Sequence, residues 1–137
     1  MKRQKAREYA FYLIYEADFK NWEEVSQMIE TAFNEYIDAE ENDIQTDYIK
    51  ETVLEVKNNL EAIDNIIIPH LKNWNYSRLP RVTKAILRLA VYEIKYNDQI
   101  PVNVAINEAV EIAKKYDDIK NASFINGVLS SVLKAEQ

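Results

Sequence analysis

The chain has 137 residues, the length of one ordinary domain, enough to bury about two thirds of the surface that its unfolded form exposes. It has no cysteine and a single histidine, His70, which excludes a disulfide framework, a thiolate nucleophile and a cysteine or histidine metal cluster, and suits a reducing cytoplasm. A formal net charge of −6 speaks against a polyanionic partner until the charges are placed: four basic and one acidic side chain fall in residues 1–15, three basic and fifteen acidic in 16–64, and ten basic and seven acidic in 65–137. Salt limits the reach of exposed charges to about 10 Å at 0.1 M, so a basic patch can face phosphate while an acidic body points elsewhere.

Residues 2–18 read as a first helix, with Ala6, Tyr9, Ala10, Leu13 and Ala17 at three- and four-residue steps. Its basic start precedes an apolar stretch that is too short and aromatic for a secretory signal and is closed by Glu16. Asn21 caps a second helix, with Glu23 and Glu24 in the favourable first turn and Val25, Met28, Ile29, Ala32, Phe33 and Tyr36 as its buried set. After a polar break over 39–45, Thr46 or Asp47 starts a third helix, expected to be the longest element. It continues through Val53, Leu60 and Ile63 to Ile66-Ile67-Ile68, where Pro69 stops it. One or two turns cover His70 to Trp74, and Pro80 opens a helix lasting to about Tyr96. That helix is apolar around most of its circumference, which puts it at the centre of a bundle, with Arg81, Lys84, Arg88 and Lys95 as its polar stripe. Two more helices follow, from about Val102 to Tyr116 and from about Asn121 to Lys134, parted by Asp117-Asp118. No alternation supports a strand, no repeat or linker divides the chain, and no uncharged run approaches the ~18 apolar residues of a membrane span. The reading is all-α, a single domain over 1–137.

Catalytic chemistry is hard to assemble here. A lone glycine, Gly127, cannot build a phosphate cradle, and Ser77, Ser123, Ser130 and Ser131 lack the context of an activated nucleophile. His70 reads as a partly exposed structural residue, and the pairs Glu23-Glu24 and Glu40-Glu41 lack the spacing of a cation loop. No enzyme activity, metal or cofactor is expected. Nucleic acid is the positive signal: Lys2, Arg3, Lys5 and Arg7 crowd one helix start, where backbone amides also attract phosphate. Unpaired RNA bases stack on aromatic planes, and Tyr9, Tyr12 and Phe124 are candidates. By pattern alone Phe124, Ile125, Val128, Leu129 and Val132 are core, with Gly127 at a tight helix crossing. Glu108 is read as pairing Lys115 or capping a helix end, and Arg88 as holding neighbouring helices by charge-assisted bonds.

Four words in fixed order carry a resemblance. They are the basic start ending in Arg7-Glu8-x-Ala10, the helix Ala85-Ile86-Leu87-Arg88-Leu89-Ala90, the stretch Val104-Ala105-Ile106-Asn107-Glu108-Ala109, and Phe124-Ile125-Asn126-Gly127-Val128-Leu129. On these the chain resembles the bacterial NusB transcription antitermination factors over nearly its whole length, most densely from Pro69 to Leu133. The resemblance implies a compact bundle of about seven helices in two packed three-helix groups, and a non-enzymatic factor. It implies binding of boxA-type single-stranded RNA together with NusE, a ribosomal small-subunit protein, within the RNA polymerase elongation complex and beside other Nus factors. Terminators are then read through, notably in ribosomal RNA operons. Carried over by position, RNA contact falls to Lys2, Arg3, Lys5, Arg7 and Phe124, with Lys120 one turn earlier adding a phosphate contact. The partner's face includes Tyr15, Phe19 and the position of Thr83, where members usually carry an acid able to meet a basic partner residue. Two other readings stay open: a NusB-like interaction module without RNA affinity, working through its acidic middle, and the detached RNA-binding module of an RNA cytosine methyltransferase. A homodimer is also left open.

Overall fold

A computed structural model describes residues 1–136, and among these there is no strand. Seven α-helices follow one another: α1 (Arg3–Phe19), α2 (Val25–Glu35), α3 (Ile44–Asn58), α4 (Leu60–Ile67), α5 (Arg81–Tyr96), α6 (Val102–Tyr116) and α7 (Ile119–Glu136). Short 3-10 turns at Trp22–Glu24, Ile68–His70 and Tyr76–Arg78 join them.

Sequence chemistry explains most boundaries. The Asn21 side chain accepts the Glu23 amide and so caps the turn that leads into α2. Pro80 and Pro101 stand immediately before α5 and α6, where a missing N–H costs nothing. Three boundaries differ from the sequence reading. Asp43, rather than Thr46 or Asp47, caps α3 by accepting the Gln45 amide at 2.9 Å. The helix expected to run on to Ile68 breaks at Asn59, whose amide group donates to the Glu55 carbonyl at 2.8 Å, and the longest element is instead the 18-residue α7. α7 begins two residues early, at Ile119, because the Asp118 carboxylate accepts the Asn121 amide at 2.7 Å.

Two groups of three helices pack face to face: α1, α2 and α3 touch one another, α5, α6 and α7 do likewise, and α1 lies against α5 between them. α4 leans on α5 and α7. One hydrophobic cluster takes in buried residues from all seven helices, with Leu13, Ile49, Ile63, Leu87, Ile125 and Leu129 among its fully enclosed members. α5 is central, as its apolar circumference requires: from Ala85 to Glu93 no residue is open to solvent.

The α1–α5 joint is locked by charge at both ends. Near the start of α1, the guanidinium of Arg7 donates from Nε to Glu93 at 2.9 Å and from Nη2 at 3.2 Å, and the Tyr48 hydroxyl of α3 donates to the same carboxylate at 2.9 Å. Near its end, Asp18 accepts from Arg88 at 2.9 Å, while Arg88 makes two further bonds of 2.9 Å to Asp64 of α4. The charges are reversed between the two ends, so α1 and α5 fit only antiparallel and in one register. Arg88 thus holds three helices together.

Candidate nucleic-acid interface

α1 begins at the surface with its first-turn amides uncapped, because Lys2 at the N-cap makes no side-chain bond to them. Lys2 and Lys5 are exposed. Arg3 is half-buried, its guanidinium 4.1 Å from the centre of the Tyr48 ring and bonded to the Gln45 side chain. Arg7 departs from the sequence expectation: it is 4 % exposed and its guanidinium is spent on Glu93, with Glu108 at 3.9 Å. Glu108 therefore meets Arg7 rather than Lys115.

Behind the exposed lysines lies a groove of about 620 Å³ between α1, the end of α2 and the end of α6. Tyr9, Tyr12, Tyr36 and Tyr116 line it. Tyr36 stands 6.1 Å from Tyr9 and 6.0 Å from Tyr12, centre to centre, and Tyr116 packs 5.4 Å from Phe11. Lys5 lies 5.9 Å from the Tyr9 ring centre and Lys115 5.3 Å from that of Tyr116. Tyr36 was expected in the core and is 42 % exposed, since it falls just past the last turn of α2, where the chain leaves the helix. Sequence reasoning passed over Tyr116 as well; the signal was its place as the last residue of a helix whose apolar stripe had already ended.

Three of the groove's phenols, Tyr12, Tyr36 and Tyr116, are held in the protonated form. Burial, then the Glu16 carboxylate, pushes the Tyr36 hydroxyl well above the usual range, and burial with a bond to Glu16 also raises Tyr12. The bond to Glu8, then burial, raises Tyr116. Burial opposes the charge on Glu8, but bonds from Lys115 at 2.8 Å and from the Tyr116 hydroxyl outweigh it and hold the carboxyl below its ordinary range. This Glu8–Lys115–Tyr116 cluster ties α1 to α6 across the groove. What remains is a set of ring faces and hydroxyl donors flanked by lysines.

The other expected residues lie elsewhere. Phe124 is half-buried and meets Trp74, with ring centres 5.8 Å apart; it does not line the tyrosine groove. Lys120 is exposed in the first turn of α7. Phe19 is 60 % exposed with the Arg81 guanidinium 5.4 Å from its ring centre, and Tyr15 is half-buried one turn earlier. Thr83 is turned inward, 1 % exposed, and donates to Asp117 at 2.8 Å. Gly127 corrects the expectation of a tight crossing: it faces solvent, and a Cβ built on it meets nothing within 4 Å.

The model of the NusB family matches residues 4–134. The chain belongs to the NusB family. A Clostridium botulinum relative called transcription antitermination protein NusB is 44 % identical, over 98 % of this chain and 96 % of its own length. NusB of T. maritima superposes with a TM-score of 0.87 at 31 % identity, over 98 % of this chain and 92 % of that one. A solved complex described as antitermination factors NusB and NusE with double-stranded RNA matches with a TM-score of 0.81 at 32 % identity, over 98 % and 99 % of the two chains. The seven-helix NusB architecture is thus that of this chain, and no described helix is long and apolar enough to cross a membrane.

Proposed function

We propose that the chain is a transcription antitermination factor that grips boxA-type single-stranded RNA together with NusE. It does so in the cytoplasm, within the RNA polymerase elongation complex and beside other Nus factors, and promotes read-through, notably in ribosomal RNA operons. The groove carries this reading: exposed lysines and open tyrosine faces share one depression on a chain whose net charge is −6. A phosphate calls for the first and an unpaired base for the second. Family membership supports it, since the relatives are named for antitermination and one solved member holds NusE and RNA.

Residues 1–137 act as a single RNA-binding domain. Lys2, Lys5 and the partly committed Arg3 take phosphates, Tyr9, Tyr12, Tyr36 and Tyr116 take bases, and Lys120 and Phe124 extend the path along α7. Phe19 and Tyr15 form the centre of the protein partner's face. Arg7 and Thr83 work from beneath: the first fixes the start of α1 against α5, and the second ties α5 to the α6–α7 corner through Asp117.

A titration of fluorescent boxA-like RNA at several salt concentrations, with and without NusE, tests the reading against an unrelated RNA of equal length. The boxA-like strand is expected to bind more tightly, more so with NusE, and to weaken steeply with salt, by about 0.7 in slope for each single-strand phosphate contact. Equal affinity for both RNAs, or no binding even with NusE, overturns it.

A further inference from the structure

The turn after α4 and the solvent side of α7 enclose a second cleft of about 580 Å³. His70, Lys72, Trp74, Phe124, Gly127 and Lys134 line it, and it has no lining residue in common with the tyrosine groove. Its charge is opposite to that of the chain as a whole: two lysines contribute, and no carboxylate does among the described residues that line it. Its aromatic content is also unusual. Trp74 is 62 % exposed, although an indole can bury about 150–250 Å². Its floor is hydrogen-bonding. Gly127 adds no side chain there, and His70 Nδ1 lies 2.7 Å from the Ser131 hydroxyl, which fixes the imidazole against α7.

The geometry of the two rings decides how a ligand fits. Trp74 and Phe124 stand 5.8 Å apart at 64° to each other. A base sandwiched between two rings needs roughly 7 Å, two base-stacking rises, and near-parallel planes. The ring pair is therefore filled by its own contact: the half-buried Phe124 steadies the indole, and Trp74 offers its remaining surface to solvent.

We propose that this cleft is a second base-binding site, in which an unpaired RNA base stacks on Trp74 while Lys72 and Lys134 take the flanking phosphates. It rests on the RNA reading above and adds Trp74 to it, with Phe124 as a positioning residue. A base supplies the flat apolar face that an open indole lacks, and the basic lining matches the phosphates on either side. An acidic or apolar peptide meets only one of these two features.

The test uses the whole chain and an unlabelled single-stranded boxA-like RNA, read by tryptophan emission, with anisotropy of a labelled copy reporting binding independently. Emission is expected to be quenched in step with RNA bound, and the quench to vanish in Trp74→Phe, where Trp22 is the one tryptophan left. Trp74→Ala is expected to weaken binding by about 5- to 150-fold with the salt slope unchanged, whereas Trp74→Phe retains most of the affinity. Melting temperatures of both variants should match the parent, because the residue is exposed. RNA bound by anisotropy without quenching, and with Trp74→Ala binding as tightly as the parent, overturns this site and leaves the tyrosine groove standing. Absence of any RNA binding overturns both.

Discussion

Replacing Arg7 by methionine separates a structural arginine from an RNA contact. Methionine keeps the apolar stem, so packing of the side-chain body changes little, and the loss falls on the charge. Arg7 is 4 % exposed and Glu93 1 % exposed, with three N···O distances of 2.9, 3.2 and 3.2 Å between them. Without the guanidinium, the Glu93 carboxylate keeps only the Tyr48 hydroxyl, and breaking a buried pair from one side costs about 3–5 kcal/mol. A chain of this length gains roughly 0.3 kcal/mol per kelvin in unfolding entropy, so the melting temperature should fall by about 10–17 °C. The double variant Arg7→Met, Glu93→Gln, which leaves no orphaned charge, should melt above the single one. At a temperature where the variant stays folded, its RNA affinity should keep the parent's dependence on salt. A salt slope reduced by about 0.7 with an unchanged melting temperature would refute the reasoning, because it is the signature of a phosphate contact from a dispensable side chain.

Gly127→Ala should stabilise by about 1 kcal/mol in thermal melts, since the added methyl meets only open space and alanine favours the helix; destabilisation would mean that α7 is closely approached there. Tyr12→Ala should weaken boxA-like RNA by about 5- to 150-fold in an anisotropy titration while leaving the salt slope alone. Glu8→Gln should lower stability only slightly at pH 7, because Lys115, its ion-pair partner, is exposed to solvent. Glu8 is held below its ordinary range in the fold, so its contribution is present above about pH 4.5 and disappears as pH falls through the folded value. The melting curves of parent and variant should therefore converge in acid, and a gap that stays constant as pH falls would contradict the assignment.

The fold was legible where the sequence punctuates itself. Proline before α5 and α6 and the aspartates between α6 and α7 mark those helices to within two residues. The acidic middle carries no such mark: Asn59 stops α3 by bonding its own side chain back to Glu55, and asparagine inside a run of leucine, isoleucine and valine spacing gives little warning. At the candidate site, charge was read more easily than direction. Arg7 stands three residues before Ala10 and seven before Ile14, on the buried face of α1, and Glu93 is an acid within the apolar circumference of α5. Together these two predict a buried pair, yet four clustered bases look like one solvated patch when counted along the chain. Gly127 misled in the opposite sense, because the scarcity of glycine suggested a crossing where the backbone is simply open. Periodicity carried Tyr36 into the core of α2 and passed over Tyr116 and Trp74, since each sits at a helix end or in a turn where the three- and four-residue rule no longer applies.

The groove at the start of α1 is the centre of the account, and ring-proton NMR of the chain with and without boxA-like RNA tests it most directly. Resonances of Tyr9, Tyr12, Tyr36 and Tyr116 should shift together at one binding constant, while Tyr15 should hold still until NusE is added. Shifts at Tyr15 on adding RNA, with the four groove tyrosines unmoved, would contradict it.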